Sequence, residues 1–120
     1  MAKSLLIISR QSPWSGLDAR EALDIALAGG AFDLPVGLLF LDDGVLQLLS
    51  SQAPRQVQQK DLTANLQALE MFGVEDLFVC HTSLAERGLL THELSIDALQ
   101  VLHDHDIATL IDRYDQVITI

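Results

Sequence analysis

Leu77-Phe78-Val79-Cys80-His81-Thr82-Ser83-Leu84-Ala85-Glu86-Arg87-Gly88 is the stretch on which the fold turns. Leu77 to Cys80 is an apolar run without alternation, bounded by polar residues, which predicts a strand buried on both faces. The run ends at the only cysteine of the chain and passes at once into Thr82-Ser83 and a helical pattern. Thr82 or Ser83 is expected to cap that helix by accepting a bond from its free N–H groups. Cys80 then stands where the carboxyl end of a strand meets the amino end of a helix. In open α/β sheets ligands bind at that level, and a helix dipole there favours a thiolate. The other reading is a small buried hydrophobe closing a strand, since free cysteine is among the most buried residue types. The residues alone leave both open.

Outward from this stretch, strand and helix patterns alternate. Before it, Ser4 to Ser9 reads as the first buried strand, and Pro13 and Gly16 mark a loop over Arg10 to Gly16. Ala19, Ala22, Leu23, Ala26 and Leu27 recur at helical spacing, with Asp18 and Glu21 in the first turn and Gly29-Gly30 expected as the stop. Pro35 opens a second strand, Val36 to Leu41, ending at Asp42-Asp43-Gly44. Val45, Leu46, Leu48 and Leu49 form a short, strongly apolar helix. The polar segment Gln52 to Lys60 is expected to be an exposed loop. Asp61 is placed to cap a helix with Leu62, Leu66, Leu69 and Phe72 on one face and Gly73 at its end. After the opening stretch come a loop over Gly88 to Ile96 and a fourth strand, Ala98 to Leu102. A helix capped by Asp104 or Asp106 runs to about Arg113, and a last strand spans Gln116 to Ile120. Strands apolar on both faces require cover on both sides. The expected fold is therefore α/β: a single three-layer domain over 1–120, with a mostly parallel five-stranded sheet and helices on both faces.

Composition narrows the function. The 120 residues are 49% hydrophobic and only 5% aromatic, so the core must be aliphatic. Seven basic against seventeen acidic residues give a net charge of −10. Nucleic-acid affinity rests on Lys and Arg neutralising phosphates, so no direct RNA or DNA contact is expected. A single cysteine excludes an internal disulfide and fits a reducing compartment. The apolar run before Arg10 is too short for a signal peptide, and no stretch approaches a membrane span of roughly 20 residues, so a cytoplasmic location is expected.

Other chemistry has little support. His103-Asp104-His105-Asp106 resembles a metal cluster in composition, but residues two apart face together only on a strand, and this tetrad lies where strand becomes helix. No second ligand group with zinc spacing accompanies it. The better reading is a solvated helix start, and no metal or cofactor is expected. Asp42 and Asp43 fit acid–base work or a magnesium ligand set, yet such a pair more commonly ends a strand and caps the helix after it. The loop after the first strand lacks the glycine spacing of a phosphate cradle. His81 is a poor base for Cys80, because neighbours along a strand point to opposite faces.

Several segments together carry a resemblance. Leu41-Asp42-Asp43-Gly44-Val45-Leu46-Gln47-Leu48-Leu49 resembles the D-G-V-x-Q-L-L signature of the TusC (DsrF-like) branch of the DsrE/DsrF/DsrH sulfur-relay family. Gly16 followed by Arg20-Glu21-Ala22-Leu23-Asp24 fits the same branch. So do Val79-Cys80 leading to Ser83-Leu84 and Glu86-Arg87-Gly88-Leu89, and the end Tyr114-Asp115-Gln116-Val117-Ile118. The resemblance implies a parallel α/β fold and a hetero-oligomer with TusB-like and TusD-like subunits. Such an assembly passes persulfide sulfur toward a TusE-like acceptor and a tRNA thiolase, for 2-thiouridine at the wobble position. It further implies that the TusD-like subunit carries the sulfur and that a TusC-like chain is an accessory partner. Two readings follow: a non-catalytic subunit with Val45, Leu46, Leu48 and Leu49 at an interface, or an independent thiol-transfer enzyme with Cys80 as its catalytic residue.

Overall fold

The computed structural model describes residues 3–11, 18–48, 68–69, 71, 73–74, 76–89 and 99–120. Five strands form one sheet: β1 (Leu5–Ser9), β2 (Val36–Phe40), β3 (Asp76–Cys80), β4 (Gln100–Leu102) and β5 (Gln116–Thr119). They stand in the order β4-β3-β2-β1-β5, and each of the four pairings is parallel. The register aligns Ile7 with Leu38 and Leu38 with Leu77. Alternation then divides the apolar side chains between the two faces.

One face carries Ile7, Leu38, Phe40, Leu77 and Val79, covered by Ala22, Leu23 and Ala26 of α1 (Asp18–Ala31), by Val45 and Leu48 of the 3-10 helix η1 (Asp42–Leu48), and by Leu84 of α2 (His81–Glu86). The other carries Leu6, Ile8, Leu39 and Phe78 under Leu110 of α3 (Asp104–Asp112), with Ile107, Ile111 and Tyr114 packed beside it. The α/β fold with helices on both faces is thus as expected. The central strands β1, β2 and β3 are almost wholly buried, whereas β5 is exposed along its length.

Three boundaries differ from the sequence reading. The stop expected at Gly29-Gly30 does not occur, and α1 continues to Ala31. Its end is made by Asp33 in the left-handed region (φ 59°), with the N–H of Leu34 bonded to the carbonyl of Gly29 and that of Asp33 to Gly30. This is a Schellman turn with an aspartate in the usual glycine place. Gly29 serves packing: a Cβ there would lie 2.6 Å from Cγ2 of Val36, so the missing side chain lets α1 press onto β2. The fourth strand begins at Gln100 among the described residues, and β5 ends at Thr119. The expected loops over 12–16, 52–60 and 90–96 and most of the expected helix over 62–72 lie outside the described residues. Of that helix, Leu69 is fully buried and Gly73 has φ +85°, as a glycine stop requires.

Tyr114 lies across Gly37, where a Cβ would fall 2.2 Å from its hydroxyl oxygen. Burial pushes the Tyr114 hydroxyl above its ordinary 10.0, and the negative charge of Asp76 pushes it further, against a smaller opposing effect of Arg113. It braces the α3 face and lies at the opposite end of the strands from Cys80.

Candidate functional site at the carboxyl ends of β2, β3 and β4

Alternation along β3 puts Cys80 on the same face as Phe78, toward α3. Its register partner is Leu102 at the end of β4. The chain leaves both strands side by side, so His81 and His103 become neighbours, with ring centroids 4.5 Å apart. His105 stacks farther out, 6.4 Å from His103, and its Nε2 is 3.3 Å from Asp106 Oδ1.

Cys80 is 3% exposed. It is itself the N-cap of α2, with Sγ accepting from the backbone N–H of Ser83 at 3.5 Å. The expected caps Thr82 and Ser83 therefore lie inside the first turn and make other bonds. The Thr82 hydroxyl donates to Asp104 Oδ1 at 2.9 Å, and the same oxygen stands 3.9 Å from Cys80 Sγ, within reach of its S–H. Both polar capacities of the thiol are thereby used inside the fold. His81 is exposed, with its ring against that of His103. Likewise His103, with no side-chain capping bond, precedes α3, and the expected caps Asp104 and Asp106 fall in its first turn.

On the other flank, the turn after β2 is held tightly. Asp42 adopts φ 51°, and its N–H donates to the Ser83 hydroxyl at 2.9 Å. Arg10 donates through Nε to Asp42 at 2.8 Å, and Arg87 bonds Asp43 Oδ1 through Nε and Nη2 at 3.0 and 2.8 Å. Arg87 Nη1 also reaches the Ser83 carbonyl at 3.1 Å. A Cβ on Gly44 would fall 1.9 Å from the carbonyl oxygen of Ser9, so only glycine allows η1 to approach β1. Buried Gln47 completes the tie, donating to the Ser9 hydroxyl at 2.7 Å and to the Gln11 carbonyl at 3.0 Å. Asp42 and Asp43 thus work as ion-pair partners that close the turn.

Of the four residues expected at an interface, Val45 and Leu48 are fully buried in the chain's own core. Leu46 is half-buried, and Leu49 lies outside the described residues. Among the described residues no three His, Cys, Asp or Glu side chains are placed to hold a metal ion. Sequence reasoning missed Asp104 as the partner of Cys80 and Ser83 as the link to Asp42. Both depend on β3 lying between β2 and β4, an order that no local pattern encodes.

A family model described as DsrE/DsrF-like matches residues 3–120. The chain belongs to the DsrE/DsrF-like family. It is 67% identical, over the whole of both chains, to a Pseudomonas aeruginosa protein named as a TusC homolog. A TusC homolog of Aliivibrio fischeri is 32% identical over 110 residues, covering 92% of each chain. One of Vibrio parahaemolyticus is 37% identical over 94 residues, covering 78% of this chain and 80% of that one. Among solved structures, the ychN protein of E. coli superposes with a TM-score of 0.80 at 23% identity, covering both chains fully. That likeness supports the family's fold and no more.

Proposed function

We propose that the chain is the TusC-type subunit of a cytoplasmic sulfur-relay assembly, acting over 1–120 as one domain beside TusB-like and TusD-like subunits. The assembly passes persulfide sulfur toward a TusE-like acceptor and a tRNA thiolase that places 2-thiouridine at the wobble position. This chain is an accessory partner in the relay, with no nucleic-acid contact of its own. The full-length likeness to a TusC homolog supports the branch. The observation that carries the accessory role is the setting of Cys80, which is 3% exposed and whose sulfur is engaged by Ser83 and Asp104. Sulfur transfer requires a thiolate to reach an incoming sulfane sulfur, and that requires access. Co-expression of the full chain with its TusB-like and TusD-like neighbours tests the reading. Co-elution of the three is expected, and elution of this chain alone contradicts it.

The second reading, a thiol enzyme using Cys80, draws on the Thr82, His81, His103 and Asp104 side chains around the strand end. Alkylation of the folded chain at neutral pH separates the two. The accessory reading expects a thiol modified far more slowly than one in a denatured control, and equal rates favour the enzyme.

A further inference from the structure

The end of the molecule away from Cys80 carries an apolar patch on a preformed support. Phe32 and Met71 are 80% and 86% exposed, and Leu34 and Ile25 are 38% and 37% exposed. Single exposed apolar residues need no explanation, but Phe32, Leu34 and Met71 stand on two closed turns that pack together. Phe32 sits in the closed turn after α1, its N–H shared between the carbonyls of Ala28 and Gly29 at 3.2 Å each, with the Asp33 and Leu34 bonds locking the next two residues. The turn bearing Met71 is closed by the N–H of Val74 on the carbonyl of Leu69. It lies against the last turn of α1, since a Cβ on Gly73 would stand 3.8 Å from the Gly30 carbonyl. Ile25, Ala28 and Phe32 follow at spacings of three and four, a stripe on the exposed side of α1 opposite the buried Ala22, Leu23 and Ala26. The rim is acidic. Glu21, Asp24 and Asp33 are exposed, and α1 has no basic residue in its last turn to offset the negative end of its dipole.

We infer that the patch of Phe32, Met71, Leu34 and Ile25 docks a different chain, one that offers an apolar pocket rimmed by Lys or Arg. This rests on the accessory-subunit reading and names the surface by which a neighbour is held. An exposed aromatic ring on a closed turn is the kind of anchor that dominates binding, because little backbone order remains to be imposed. A second copy is a poor occupant: each chain carries −10, and a two-fold contact sets one acidic rim against the other. Phosphate-bearing partners meet the same acidic rim.

The full chain co-expressed with its TusB-like and TusD-like neighbours provides the test, with assembly read by size exclusion and light scattering. Phe32→Ser combined with Met71→Ser is expected to abolish assembly while leaving the urea midpoint unchanged, since both side chains stand in solvent. Asp24→Lys is expected to weaken assembly about tenfold at low salt, with the difference fading at high salt. Wild-type-like assembly of the double variant overturns the inference, as does tighter assembly of Asp24→Lys. Self-association of the isolated chain that Phe32→Ser abolishes would make a second copy the occupant, and also overturns it. Failure of the wild-type chain to assemble at all is distinguishable from these, and removes the accessory reading together with the inference.

Discussion

Cys80 lies between two turns of opposite character. On the β2 side, Arg10, Asp42, Asp43, Ser83, Arg87 and Gln47 all bond back into the chain, and Gly44 brings η1 against the Ser9 carbonyl. On the β4 side, His81, His103 and His105 stand exposed at the start of two helices and touch mainly one another. Position at the end of a strand is therefore not enough to make a residue structural or available. Backbone proximity decides it: η1 runs close to β1 and has no room for water, whereas α3 starts at the sheet's edge strand. The topology adds a second point. The strand order reverses between β1 and β5, and ligand crevices in open α/β sheets favour such a reversal. Cys80 is two strands away from it.

The contrast is sharpest at Gly44. Gly44→Ala is expected to cost on the order of 3 kcal/mol or to prevent folding, because the new methyl meets backbone that cannot retreat. A shift of the urea midpoint measures it, and a near-neutral result would break the claim that this turn is rigid. Gln47→Leu comes next, at about 1–3 kcal/mol, since it leaves the buried Ser9 hydroxyl without its donor. Asp43→Asn is expected to cost less than about 1 kcal/mol, and less still in high salt, because Asp43 is largely exposed although Arg87 grips it twice. On the open flank, His103→Ala is expected to stay within about 0.5 kcal/mol of wild type, as its side chain caps nothing. A loss there as large as that of Gln47→Leu would erase the difference between the flanks.

Much of the fold was legible because burial leaves a clear trace. Ser4 to Ser9, Val36 to Leu41 and Leu77 to Cys80 are continuous apolar runs, and each became a central strand. The helix ends were less legible, since several side chains compete for each cap. Asp33 closed α1 in place of Gly29-Gly30, and Cys80 capped α2 in place of Thr82 or Ser83. The tetrad from His103 to Asp106 does lie where strand becomes helix, between the apolar run ending at Leu102 and the helix after it. The contact between Asp104 and Cys80 was hidden for a different reason. It arises from residues 24 apart, brought together by the pairing of β3 with β4. The short apolar helix was expected to hold more apolar surface than its own core could bury. Its Val45 and Leu48 instead fill the chain's own core, and Leu46 is half-buried.

The accessory role is tested most directly by the 2-thiouridine content of bulk tRNA in three strains: intact, Cys80→Ser, and deleted for the whole chain. Serine is nearly isosteric, and Ser83 and Asp104 remain in place to bond its hydroxyl, so the variant is expected to fold and assemble. The expected result is near-normal thiolation with Cys80→Ser and none in the deletion, where the assembly is incomplete. Thiolation lost in an assembled Cys80→Ser complex would make Cys80 a sulfur carrier and contradict the account, and normal thiolation in the deletion strain would contradict the relay function itself.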